Sequence, residues 1–245
     1  MKKIFTFCLI FIISGCSVTP LKIIPTDYNY SPKAKIGFIS LISEKPTHNH
    51  IGMTIFGNFT KDLDARWDLN DYIFSEFAAQ FKNTKGYELV NLSKNEATHY
   101  LFDNENLLKT DKSGYTDVNS TELNRFKELT GITDLDAIIV ISSRKLFYNK
   151  DYDRITESLG KQGDHGFKSR AGEGMFYYAG IGSQMYSFSP KAHYLGWQFL
   201  GLVNEKVIPE PQSYEQLTKE ELVAYEKYFK KNISIKVGEL ISKSP

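Results

Sequence analysis

The stretch "DAIIVIS", residues 136–142, decides the fold class expected from this sequence. It is a continuous apolar run rich in β-branched residues, which is typical of a strand buried on both faces of a sheet. A predicted helix precedes it. That helix begins after Asn119, has Glu122 as its capping-box partner, and ends at Gly131. A helix leading into a doubly buried strand predicts a sheet covered by helices.

The residues before this stretch extend the same pattern. "AKIGFISL" (34–41) and "YELVNL" (87–92) predict strands, and between them "LNDYIFSEFAAQFKNTKG" (69–86) predicts a helix. In that helix the apolar side chains recur at intervals of four residues. A further strand is expected at 51–59, after a polar connection at 42–50.

The residues after it predict a hairpin and a last helix. "MFYYAGIGSQMYSF" (175–188) and "AHYLGWQFLGLV" (192–203) flank "SPK" and predict a pair of antiparallel strands, with a turn at 204–206. Thr218 and Glu221 form a capping box that opens a C-terminal helix. The expected fold is therefore α/β or α+β: a mixed sheet with packed helices, a late antiparallel hairpin and a C-terminal helix, all in one domain at 34–245. The predicted core includes Ile73, Phe77, Phe81, Ile138, Val140, Phe229 and Val237.

The N-terminal residues predict the cellular location of the protein. Two lysines precede a ten-residue apolar run, which is half the length that spans a bilayer, so residues 1–15 read as a signal peptide. The run ends in Ile13-Ser14-Gly15-Cys16, and "ISGC" resembles the bacterial lipobox. That resemblance implies cleavage before Cys16 and lipid on its sulfur and new amino group. An uncleaved helix, or an ordinary signal peptide with a chance cysteine, is the alternative.

Residues 16–33 contain three prolines and no periodic pattern, which predicts a tether between lipid and domain. Residue 17 is Ser. In Gram-negative lipoproteins an Asp there commonly signals retention in the inner membrane. For a Gram-negative cell, its absence favours anchoring in the outer membrane, facing the periplasm.

Charge and cysteine content exclude several classes of function. The sequence has 30 Lys+Arg and 29 Asp+Glu, so no basic excess points to nucleic acid. Both cysteines lie within the first sixteen residues. The domain therefore has no disulfide, no thiolate metal site and no cysteine nucleophile. We expect no cofactor.

The order of elements resembles that of bacterial envelope lipoproteins with the CsgG-like or TolB-N-terminal-like α/β fold. The features that carry it are the lipobox, "AKIGFISL", "NDYIFSEFAAQF", "YELVNL" and "ELNRFKELTGITDLDAIIVI". The resemblance covers residues 34–142 with the final hairpin and helix. It implies assembly, secretion-accessory or enzyme-activating work in the envelope. The glycine-rich stretch at 160–182 departs from that pattern.

Residues 160–182 are the candidate binding segment. They hold seven of the seventeen glycines, which predicts a surface loop, and loops on a rigid scaffold often carry binding sites. An inert, disordered insertion is the alternative. The candidate binding residues in and beside the loop are His165, Arg170, Tyr177, Tyr178 and Trp197.

Two histidines are weak metal candidates. In "THNH", His48 and His50 would share one face of a strand and could share a metal, but no third ligand follows at metal-site spacing. The favoured interpretation is a pair of solvated loop histidines.

The expected function is that of a lipid-anchored, periplasm-facing envelope lipoprotein that acts through protein contacts and is not an enzyme. The alternative is an envelope hydrolase or ligand-binding enzyme that uses the 160–182 loop and His165. In that loop Asp164 precedes His165, as an orienting group precedes a base.

Overall fold

The computed structural model describes residues 22–23, 30–98, 100, 106–113, 115–143, 164–201 and 203–243. The predicted signal peptide, the lipobox with Cys16, and residues 160–163 lie outside these ranges. The described strands are β1 (Lys22–Ile23), β2 (Lys35–Ser40), β3 (Thr47–Ile51), β4 (Phe59–Asp62), β5 (Glu88–Asn91), β6 (Leu108–Thr110), β7 (Tyr115–Val118), β8 (Ala137–Ser143), β9 (His165–Arg170), β10 (Gly174–Ala179), β11 (Ile181–Ser187), β12 (His193–Phe199) and β13 (Val203–Lys206). The helices are α1 (Leu69–Thr84), α2 (Ser120–Thr130) and α3 (Lys219–Lys243).

The first of two five-stranded sheets is built around β8. Its order is β12-β11-β8-β2-β5, with β2 parallel and β11 antiparallel to β8. β11 and β12 form the predicted late antiparallel hairpin. The α/β prediction of a mixed sheet, packed helices and a C-terminal helix is confirmed.

Alternate residues of β8 enter two different cores. Ile139 and Ile141 face the core that α1 and α3 complete, whereas Ile138 and Val140 face the core that α2 completes. This alternation is the two-residue period of a strand, with apolar partners on both sides. All seven predicted core residues are buried.

The second five-stranded sheet has the order β13-β10-β9-β3-β4. β3, β9 and β13 point in one direction, because β9 is parallel to β3 and β10 is antiparallel to both β9 and β13. Buried residues of β9 and β10 join the core that α1 and α3 cover. A small third sheet has the order β1-β7-β6.

The two predicted capping boxes differ in outcome. At α3, the Thr218 N–H donates to Glu221 Oε2 at 2.8 Å, and the Glu221 N–H donates to Thr218 Oγ1 at 3.2 Å. At α2, Asn119 makes no side-chain cap bond, and the Glu122 carboxylate accepts the Tyr100 hydroxyl instead. Gly131 ends α2 at φ 66°, the left-handed conformation that favours glycine.

Three segments differ in the structure from what the sequence predicts: an expected strand, an expected turn and the expected tether. The strand expected at 51–59 is wrong, because this stretch mostly forms the tip between β3 and β4, which instead pair on either side of it. The turn expected at 204–206 is part of β13, which pairs with β10. Within the expected tether, Lys22–Ile23 pair with β7, and Tyr30 packs against Tyr87.

The surface loop expected at 160–182 is also wrong for its described part. Residues from His165 onward form β9, β10 and the start of β11, all of which are interior strands of the two sheets. Among the described residues, no helix has the length and apolar character needed to cross a bilayer.

Candidate functional site

Close packing explains several of the clustered glycines. Gly166 has φ 134°, and a Cβ there would lie 2.0 Å from the Thr47 carbonyl oxygen on β3. At Gly180 a Cβ would lie 2.4 Å from the Tyr178 hydroxyl. At Gly166 the close atoms belong to the β3 backbone, and only glycine lets the two backbones approach so closely. Gly166 therefore allows two neighbouring strands of the second sheet to lie side by side, and it does not indicate an open loop.

His165 lies in the core of the second sheet. Its ring is fully buried, with its centroid 5.6 Å from that of Trp67 and 5.8 Å from that of Phe229. Neither ring nitrogen has a hydrogen-bond partner among the described residues, nor does the buried indole nitrogen of Trp67. Burial lowers the pKa of His165 to about 4, so the ring is neutral near pH 7. Asp164 does not orient it, since its carboxylate accepts the Ser43 N–H at 2.7 Å.

The other predicted binding residues do not form one surface with it. Arg170 is exposed and pairs with Glu173 at 3.0 Å. Tyr177 is buried, and its ring stacks on Tyr228 with centroids 4.8 Å apart. Tyr178 is half-buried, under the Lys168 ammonium. Trp197 belongs to β12 in the other sheet, where it is the register partner of Gln184, and its side chain lies outside the described parts of the chain.

The structure does bring His48 and His50 together, on the hydroxyl of Ser169. His48 Nε2 and His50 Nδ1 each lie 2.7 Å from Ser169 Oγ. β3 and β9 are parallel with His50 opposite Ser169, so all three side chains share one face of the sheet. The interpretation of these histidines as solvated loop residues is wrong, because both belong to β3 and His48 is fully buried. The sequence contained the spacing of the two histidines, but it did not show that a serine more than a hundred residues later would face them.

Aromatic side chains pack against the group formed by His48, His50 and Ser169. The His50 ring stacks on Phe59 with centroids 5.0 Å apart, and Tyr214 lies 5.5 Å away. The Lys61 ammonium donates to the Glu215 carbonyl, which ties the segment before α3 to β4. Burial, with smaller contributions from the charges of Lys61 and His50, lowers the pKa of His48 to about 4.

This arrangement is a hydroxyl shared between two imidazoles. Ser169 can donate to one ring and accept from the other, so one ring must carry its proton on the facing nitrogen. A serine beside an imidazole is also the pairing used in nucleophilic catalysis. However, Ser169 is buried, and no described carboxylate hydrogen-bonds to His48 or His50.

The described residues do not support a metal site at His48 and His50. They contain no group of three or more His, Cys, Asp or Glu side chains that could hold an ion. A metal-bound histidine usually donates its second N–H to an acceptor. His48 Nδ1 is buried without a partner in the described part of the chain.

A different surface lies at one end of the second sheet. β3, β9 and β13 all end there, and beyond β3 and β13 the chain exposes Met53 (92 %), Phe56 (93 %) and Ile208 (81 %). They have the largest exposed fractions among the large apolar side chains that the structure describes. We name these three residues the apolar end. Sequence reasoning missed it, although "IGMTIFGNFT" (51–60) contains no charged residue.

No protein-family model, curated protein or solved structure matches this chain.

Proposed function

We propose that this chain is a lipid-anchored, periplasm-facing lipoprotein of the outer membrane that acts through protein contacts. Cys16 carries the anchor, and the folded domain meets an envelope protein. The resemblance of Ile13-Ser14-Gly15-Cys16 to the bacterial lipobox supports the anchor. No nucleic acid and no cofactor takes part.

The outer face of α3 is the observation that carries the proposal of protein contact. Tyr225, Phe229 and Ile233 bury the inner face of the helix. An outer face is normally polar, yet here the exposed side of the helix carries Val223 (65 %) and Ile235 (49 %). These two apolar side chains mark the side of the helix that we expect another protein to cover.

The anchor is tested by mass spectrometry of the mature protein from membranes. We expect a peptide that begins at Cys16 and carries acyl chains. Cys16→Ser should keep the fold and move the protein out of the membrane fraction, since the change touches no core residue. A mature chain that begins elsewhere without lipid contradicts the anchor.

The contact is tested by placing a photo-crosslinking residue at Ile235 in intact cells. We expect one discrete protein adduct, which mass spectrometry identifies. Lys231 and Glu239 are exposed polar positions one turn before and one turn beyond Ile235 on the same helix. A crosslinker at Glu239 maps the border of the contact. Equal yields at exposed sites anywhere on the domain would indicate random collision and contradict a specific contact.

Ser169 between His48 and His50 is the observation that favours the alternative, a hydrolase. In that case Ser169 Oγ attacks an ester carbonyl and its proton passes to an imidazole, which returns it to the alcohol as the acyl–oxygen bond breaks. A fluorophosphonate probe should then label Ser169, and His50→Gln should slow the labelling. A folded protein that stays unlabelled at Ser169 excludes this alternative.

A further inference from the structure

We propose that the apolar end inserts Met53, Phe56 and Ile208 into the surface of a phospholipid bilayer. The inference rests on the proposed function, because the lipid on Cys16 is what holds the domain beside that bilayer. It adds a second point of membrane contact, and thereby an orientation of the domain.

Sheet topology places the three side chains at the same end. Met53 and Phe56 follow β3, Ile208 follows β13, and these strands point the same way. The Ala171 N–H donates to the Ile51 carbonyl at 2.9 Å, so the turn after β9 lies beside the base of the tip. Two strands separate β3 from β13 in the sheet, so their ends are about 14 Å apart at the usual strand spacing.

The tip is built to hold its apolar side chains outward. The Gly52 N–H donates to Asn58 Oδ1 at 2.9 Å, and the Gly57 N–H donates to the Thr54 carbonyl at 3.0 Å. A Cβ on Gly52 would lie 2.8 Å from the Gly57 backbone, so the two sides of the tip meet closely. A closed tip of this kind keeps Met53 and Phe56 in solvent and away from the core.

The charges at this end neutralise each other. Arg170 pairs with Glu173 at 3.0 Å, and Lys206 pairs with Glu210 at 2.7 Å. Residues 51–60 add no charge. Paired charges are less unfavourable to bring near a lipid surface than single ones, so these two pairs oppose insertion less than four unpaired charges would.

A bilayer fits this surface better than a protein does. Lipid requires no complementary shape, and its surface accommodates anchors about 14 Å apart. Weak insertion is sufficient here, because a tether raises the effective concentration of the second contact.

The test uses the lipidated full chain on phosphatidylcholine vesicles, with Phe56→Trp as a fluorescent reporter. The signal is the difference from the wild type, whose own tryptophans are Trp67 and Trp197. We expect a blue shift of the added emission and its loss when the vesicles contain brominated lipid. Val223→Trp, at an exposed apolar site on α3, is the matched control and should keep its emission. An unchanged melting temperature confirms that either variant folds.

Vesicle flotation separates the two hypotheses. Protein that floats with vesicles while Trp at position 56 remains unquenched overturns the inference and leaves the anchor intact. Protein that does not float contradicts the anchor, and the inference that depends on it fails as well. A photo-crosslinker at position 56 that captures a protein in intact cells, and no lipid, assigns the apolar end to a protein partner and overturns the bilayer proposal.

Discussion

Replacing His165 with Phe should weaken the acid sensitivity of this domain. Both His165 and His48 are fully buried, and burial lowers the pKa of each ring from 6.5 to about 4. Phe removes the titrating group of His165 and two nitrogens that lack partners in the described structure. The new ring would lie among the aromatic side chains of Trp67 and Phe229.

The sign and size follow from proton linkage. Between pH 6.5 and pH 4 the unfolded histidine binds a proton that the folded one does not, so the free energy of unfolding falls as the pH falls. Relative to pH 8, each ring lowers the free energy of unfolding by about 2 kcal/mol at pH 5. Below pH 4 this decrease levels off at about 3 kcal/mol. The wild type should therefore lose about 4 kcal/mol between pH 8 and pH 5 from these two rings, and His165→Phe about half of that.

Urea unfolding at pH 8, 6.5 and 5, followed by circular dichroism, measures these differences. Phe229→Leu is the matched control, because it disturbs the same packing and leaves both histidines in place. Relative to the wild type, the control should lose the same amount of free energy of unfolding at every pH. A His165→Phe variant that loses as much stability on acidification as the wild type would refute the reasoning.

Three further predictions concern the core, the sheet and the last helix. Phe77→Ala should lower the free energy of unfolding by about 3–5 kcal/mol in urea titrations, and a loss below about 1 kcal/mol would contradict its place in the core. Gly166→Ala should prevent folding or shift amide exchange throughout β3 and β9, because its Cβ meets the Thr47 carbonyl; a wild-type melting curve would contradict this close approach. Thr218→Ala should lower stability by about 1 kcal/mol, with Thr218→Ser as the control that keeps the cap to Glu221. An unchanged stability in the Ala variant would exclude a contribution from the cap.

Local patterns were sufficient for the elements whose packing is periodic. The spacing of Ile73, Phe77 and Phe81 identified α1 and its buried face. The continuous apolar run from Ala137 to Ile141 identified β8 as doubly buried. In both cases each apolar residue of the pattern indicates a buried position, so the element can be identified without knowing which distant segments pack against it.

The glycine-rich segment could not be interpreted in this way. Glycine is used both for loops and for close packing of strands, and the two uses look alike in sequence. Gly166 is required because Thr47, which lies 119 residues earlier, passes beside it in β3. The prediction of a loop failed because the reason for that glycine lies in another part of the chain.

The sequence by itself determined the α/β class, the buried faces of α1 and α3, and the expectation of lipid at Cys16. These depend on side-chain periodicity and on short contiguous motifs. Only the tertiary structure decided that Ser169 lies between His48 and His50, and that Met53, Phe56 and Ile208 share one end of a sheet. Both groupings depend on the order and direction of β3, β9 and β13. Strand order and direction arise from pairing between distant segments, which no local pattern of residues records.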